Sequence, residues 1–240
     1  MLAKLLSKDV VFNYRGDDIA LGGQGAPIAP IYHKFIIEKF KLELPFCILN
    51  IGGVTNLTYW DGNKLIGFDT GPGNSLMDDY MLTIFKENYD KDGTVAAKGT
   101  PIKEEIEKFL QHSYFKSIPP KSLDRLSFKS EYNELIKKKY FVHDIMATLA
   151  EFTIETIANS LKFLPRKINS ILITGGGYRN NHLMYRLNDR IKLQIFNEKQ
   201  LGINFDYIES ELIAYLSARS IYELPFTFPS TTGVSKPSSG

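Results

Sequence analysis

Cysteine is nearly absent: Cys47 is the only one among 240 residues, so no intrachain disulfide can form. It lies in the apolar run Phe46-Cys-Ile-Leu49 and reads as a buried core thiol rather than a nucleophile. Histidine is scarce too. His33, His112, His143 and His182 are far apart and lack metal-ligand spacing, so no protein-bound metal site is expected. Neither sign of charge dominates, with 29 basic and 27 acidic residues and a net charge of +2. That balance gives no electrostatic case for nucleic acid or an anionic membrane. No apolar run approaches the ~18 residues of a membrane span. The opening residues carry two lysines, Lys4 and Lys8, with no adequate apolar stretch after them, so no signal peptide is expected. A reducing cytoplasm fits these absences. Lys137-Lys-Lys139, the densest basic run, reads as a solvated helix face.

Hydrophobic residues make up 43% and charged residues 23%, the balance of an ordinary globular chain able to bury a core. The segment 17–27 is rich in turn formers and reads as a loop, followed by a helix over 28–40 with Ile31, Phe35, Ile36 and Phe40 near one face. Three strands are expected at 46–51, 54–60 and 64–68, the last two joined by the tight turn Asp61-Gly-Asn63. Asn74 is placed to cap a helix carrying Leu76, Met77, Tyr80, Met81, Ile84 and Phe85 at helical spacing. A polar loop at 88–101, a short helix at 102–111 and an irregular connection at 117–129 come next. A long helix over 143–164 has Ile145, Leu149, Phe152 and Thr156 on one stripe. Beyond it lie a buried strand at 169–174, a helix at 180–190, a strand at 193–196 and a helix at 207–222. The Pro/Ser/Thr/Gly-rich stretch 225–240 reads as loosely ordered. The element order implies an α/β domain with a mixed sheet.

Four glycine-rich segments carry the candidate chemistry. Asn50-Ile-Gly-Gly53 joins two strands, and its glycines could wrap phosphate with main-chain donors or simply serve a hairpin needing positive φ. In Gly67-Phe-Asp-Thr-Gly-Pro-Gly-Asn74, Asp69 leaves a strand end beside the positive end of the next helix. A carboxylate there can deprotonate an attacking hydroxyl or water, or merely cap the loop. Thr174-Gly-Gly-Gly177 lets a flat ring or a phosphate approach the backbone, or makes a close strand–helix turn. It is not a dinucleotide fingerprint, because Asn180 stands where the third glycine belongs. Asp18 with Gly22-Gly-Gln-Gly-Ala-Pro27 could hold sugar hydroxyls or form a surface connection. Phosphate turns plus one carboxylate read as phosphoryl transfer.

Together these segments, over 13–236, resemble the anhydro-N-acetylmuramic acid kinases of the actin/sugar-kinase/heat-shock chaperone superfamily. The family pattern D-F-R-x-x-D-x-A-x-G-G-Q-G-A-P appears as Asn13-Tyr-Arg-Gly-Asp-Asp-Ile-Ala-Leu-Gly-Gly-Gln-Gly-Ala-Pro27, with Asn13 in place of Asp. The N-I-G-G-x-x-N-L hairpin, the G-F-D-x-G-P-G-N signature, the G-G-G-x-x-N-x-x-L-M element and a closing P-x-x-T-G follow in order, ending at Gly233. The usual T-G-R-E is altered to Leu123-Asp-Arg-Leu126.

The resemblance implies a ribonuclease H-like, actin-like ATPase lobe at 46–240, with 1–45 as the remnant of an N-terminal lobe and connecting helix. It further implies ATP and Mg2+ as cofactors, an anhydro amino sugar as substrate, and ring opening with phosphorylation in cell-wall recycling. By the same analogy Asp69 is the general base, Gly52 and Gly53 form the second phosphate loop, and Gly175, Gly176, Gly177 and Asn180 border the nucleotide. Arg15, Asp18, Gln24 and Asn74 are the expected substrate contacts. The family's first phosphate hairpin, G-x-M-S-G-T-S-x-D-G, has no counterpart among these residues. A separately encoded N-terminal lobe or a second copy is therefore an expected partner, and a non-catalytic remnant is the alternative.

Overall fold

The computed structural model describes residues 2–239, apart from the side chains of Glu198 and Lys199. Its centre is a five-stranded sheet of β1 (Phe46–Ile51), β2 (Val54–Trp60), β3 (Leu65–Pro72), β4 (Ser170–Thr174) and β5 (Gln194–Phe196) in the order β3-β2-β1-β4-β5. β1, β2 and β3 run antiparallel in sequence, while β1–β4 and β4–β5 are parallel. This is the expected mixed sheet flanked by helices.

Strand alternation decides what each face meets. Cys47, Leu49, Ile51, Ile171 and Ile173 point into one apolar layer, whereas Phe46, Ile48 and Leu172 point into the other. The first layer is dominated by the helix α7 (Val142–Ser160), whose Ile145, Leu149, Phe152 and Thr156 are all buried as the spacing predicts. A second helix, α8 (Asn181–Ile191), packs on it through Leu183 and Leu187. Two bidentate pairs, Arg186–Glu151 and Arg190–Glu155, tie these helices together. The opposite layer is built from α3 (Pro30–Lys39) and α10 (Ile208–Ile221), where Tyr32 donates to Glu211. His33 is buried with its Nδ1 2.7 Å from Thr58 Oγ1, and burial pushes its pKa down to about 3. It is a neutral core histidine. Burial likewise raises the Cys47 thiol well above its ordinary range, which leaves it inert.

Several expectations are corrected. The loop at 17–27 contains a short helix, α2 (Gly16–Ala20). After α4 (Ser75–Tyr80) the chain takes a π-helical turn over Met81–Phe85, which rotates Ile84 off the apolar stripe into solvent. Lys138 is not merely solvated, because its ammonium contacts the buried Glu105 carboxylate at 2.5 Å, with Tyr140 as a further donor. The described part of the 225–240 stretch, 225–239, is ordered: Thr227 pairs with Ser238, and Phe226, Thr231, Thr232 and Val234 are buried. Its composition suggested looseness, yet the partners lie elsewhere in the chain. Ser230 donates its hydroxyl to Leu65 O and accepts the Gly67 N–H at its carbonyl.

Candidate active site

Asp69 lies inside β3, which continues to Pro72 instead of ending at Phe68. The pairing explains how. Thr55 faces Gly71 while Asn56 faces Asp69, so Thr70 is the extra residue of a β-bulge. Such bulges bend a strand and re-aim the neighbouring side chain. Asp69 is 6% exposed, and its Oδ2 accepts the Leu123 N–H at 2.7 Å. Its backbone is held as firmly, with its N–H donating to Lys121 O at 2.9 Å and its carbonyl accepting from Tyr114 Oη. Burial pushes its pKa up to about 7, against the Leu123 hydrogen bond and the charges of Arg15 and Lys121. A carboxylate of that basicity is suited to proton abstraction near neutral pH.

The loop around Asp18 supports this floor from below. Asp18 is fully buried; its Oδ2 accepts the Gly25 N–H at 2.7 Å and its Oδ1 the Thr232 hydroxyl at 2.6 Å. No surface remains for the substrate contact expected of it, so Asp18 acts through the loop it holds. Gln24 is also engaged internally. Its amide donates to Pro120 O at 3.2 Å and accepts from Ser122 N at 2.6 Å and Ser122 Oγ at 2.9 Å. That grip steadies the segment presenting Leu123 N–H to Asp69, while Gln24 itself stays exposed. Arg15 is exposed and close enough for its charge to act on Asp69.

The β1–β2 turn meets the start of α4 directly. Gly73 N donates to Gly53 O at 2.9 Å and Asn74 N to Gly52 O at 2.7 Å. These amides, expected to offer a positive helix end to a ligand, are thus taken by the hairpin. Asn74 makes no side-chain cap; its amide reaches Ile51 O at 3.4 Å, because the hairpin carbonyls already satisfy the helix start. Gly53 stays exposed at the turn.

A cavity of about 440 Å³ opens beside this turn, lined among others by Asn74, Asp78, Asp90, Gly176, Arg179 and Asn180. Gly176 and Asn180, two of the expected nucleotide-border residues, line this cavity. Asn74, expected to contact the substrate, lines the same cavity. Gly175, with φ +83°, and Gly177 lie behind the cavity, packed against the end of β1. Asn180 also caps α8 by accepting the Leu183 N–H at 2.9 Å. Asn180→Ala is expected to cost about 1 kcal/mol, measurable as a shift in the urea midpoint without a change in slope.

Sequence reading missed Asn56, whose position opposite Asp69 puts both side chains on one face, although it stands within the N-I-G-G-x-x-N-L pattern. It also missed Asp78, half-buried in the cavity wall and pushed up to about 6 by burial and the neighbouring Asp79, against Arg125. Lys121 had no local signal.

The residues present fit a nucleotide. Thr55 Oγ1 and Ser75 Oγ are buried without partners next to the Gly52–Gly53 turn and Gly73, a polar surplus beside a glycine cradle. Among the described residues no group of three or more His, Cys, Asp or Glu could hold a metal ion. Mg2+ commonly arrives on substrate phosphates and keeps its waters, so it needs no such cage. Among the described residues no helix is long and apolar enough to cross a membrane.

A family model described as anhydro-N-acetylmuramic acid kinase matches residues 1–239. Proteins of that name from Rhodopseudomonas palustris (strain HaA2) and Brucella anthropi are 40% and 37% identical over 241 residues. Both alignments cover 100% of this chain but 65% and 64% of the relatives, so the chain spans just under two thirds of their length. A solved structure titled an activator of the 2-hydroxyisocaproyl-CoA dehydratase from Clostridium difficile with bound ADPNP aligns at 15% identity and a TM-score of 0.43. It covers 74% of this chain and 64% of that one, a likeness too distant to bear on function. The family match spans all but the final residue, and by it the chain belongs to the anhydro-N-acetylmuramic acid kinase family.

Proposed function

We propose that this chain carries the base and the nucleotide wall of an ATP-dependent kinase for 1,6-anhydro-N-acetylmuramic acid, yielding N-acetylmuramic acid 6-phosphate in cell-wall recycling. The observation that carries the reading is Asp69: a buried carboxylate, raised to about 7 by burial, paired across the sheet with Asn56 and close enough to feel the Arg15 charge. In the proposed reaction Asp69 takes one proton from a water attacking the anomeric carbon. The bond from that carbon to the 6-oxygen breaks, the released oxygen takes the γ-phosphoryl group, and ADP leaves. The other water proton stays on the new anomeric hydroxyl, and Asp69 later returns its proton to solvent. Leu123 N–H holds the carboxylate in place throughout. Asn74, Gly176 and Asn180 border the adenosine, with Gly52 and Gly53 nearest the phosphates and Mg2+ neutralising phosphate charge.

In this reading 46–240 form the actin-like lobe, 1–45 belong with a second lobe, and the protein works in the cytoplasm. Closure of a second lobe over ATP would position the phosphates and exclude water. Magnesium-ATP binding to the chain, followed by calorimetry with and without the anhydro sugar, is the first test. Binding is expected, with sugar phosphate formed once the part of the Rhodopseudomonas relative that this chain does not span is added. A folded chain that binds no nucleotide, and yields no product with that part present, would overturn the reading.

A further inference from the structure

Behind β3, on the α7 side of the sheet, lies a second cavity of about 200 Å³, lined by Lys116, Lys121, Lys162, Thr70, Asn159 and Ser160 among others. No carboxylate lines it, and among the described residues none of the three lysines makes an ion pair. Lys121 is the anchor. It is only 6% exposed, yet its ammonium has a single acceptor, Tyr114 O at 3.2 Å. Aromatic rings also flank it, with the Tyr114 centroid at 4.3 Å, that of Phe163 at 5.1 Å and that of Phe115 at 5.9 Å. An ammonium carries three donors, and burying one with two of them unmatched is costly unless an anion completes the set.

From this geometry we infer that the cavity is a binding site for a phosphate-class dianion, free or as a small monoester, held by Lys121 from within and by Lys116 and Lys162 at the mouth. Burial and the charge of Lys162 push Lys121 down to about 8, against the pull of Asp69, and a bound dianion would relieve that repulsion. The volume suits a small oxyanion and is less than half that of the nucleotide-side cavity. The Lys121 carbonyl accepts the Asp69 N–H, and Leu123 N–H bonds the Asp69 carboxylate, so occupancy is felt at the catalytic strand.

The test is a proton–nitrogen NMR titration of the chain with inorganic phosphate, and separately with glycerol 3-phosphate, at ionic strength held constant with sodium chloride. Saturable shifts at the Lys121 and Leu123 amides are expected with at least one of them, and which one saturates identifies a free or an esterified ligand. Lys162→Met and Lys116→Met change exposed side chains and should keep the fold while weakening binding about tenfold each, the loss of one charge-assisted hydrogen bond. Phosphate bound instead at the Gly52–Gly53 turn would be indifferent to both variants. Shifts that stay linear for both anions, or affinities unchanged in both variants, would overturn the site. No turnover is required, so the result stands apart from the kinase reading.

Discussion

Asp69→Asn is expected to abolish turnover in any active assembly and at the same time to stabilise the fold at alkaline pH. The amide is nearly isosteric and keeps an oxygen for the Leu123 N–H, but it cannot take a proton. Loss of a general base costs about 10²–10⁴-fold in rate. The stability change follows from where the wild-type carboxyl titrates, about 7 folded against an ordinary 3.8. Below 3.8 both states hold the proton and Asp69 is neutral to folding. Between the two values the unfolded chain releases its proton while the folded one retains it, so wild-type stability falls as pH rises. Above 7 the full penalty stands, at most about 4 kcal/mol for three pH units. The Asn variant is spared this loss. Melting temperatures at pH 4 and pH 8 check it: the variant should gain on wild type only at the higher pH. An equal difference at both, or retained turnover, would remove Asp69 from the role of base.

The second large effect belongs to Gly73. A methyl group there would collide with the Gly52 carbonyl oxygen and stand 2.9 Å from Thr55 Oγ1. Neither is the far end of a flexible side chain, so the hairpin itself must move, breaking the Gly73–Gly53 and Asn74–Gly52 hydrogen bonds. Gly73→Ala should cost about 2–3 kcal/mol by overpacking and should also lower ATP affinity, since the displaced turn is the proposed phosphate cradle. Gly53→Ala is the matched control, because its methyl would meet only Ser75 Cβ, at an ordinary 3.8 Å. Denaturant unfolding and nucleotide calorimetry on the two variants separate the effects. Equal stability of the two would show that the hairpin yields easily.

What could be read from the sequence is what local chemistry decides. The β2–β3 turn was legible because Asp61 satisfies it within four residues, accepting from Asn63 N at 2.9 Å and Lys64 N at 2.7 Å. The faces of α7 followed from helical periodicity. Asp69 stood out because a carboxylate among turn-forming glycines is chemically conspicuous. The rest depended on distant partners. Gly71-Pro72 reads as a strand break, yet pairing with β2 carries β3 to Pro72 through the Thr70 bulge. Asn74 has the composition of a cap but loses that role to carbonyls 21 and 22 residues earlier, those of Gly53 and Gly52. Lys121 belongs to an irregular connection in sequence, yet in space it is buried and lines a cavity.

The bond between Thr232 and Asp18 spans 214 residues of chain. Through Gly25 and Gln24 it anchors the floor beneath Asp69. Closing so long a loop is entropically unfavourable until the intervening sheet has already brought its ends together. On the ribosome, then, the floor beneath Asp69 can be completed only after residue 232 has emerged, so every strand of the sheet leaves the ribosome before the Asp69 carboxylate can be set in place.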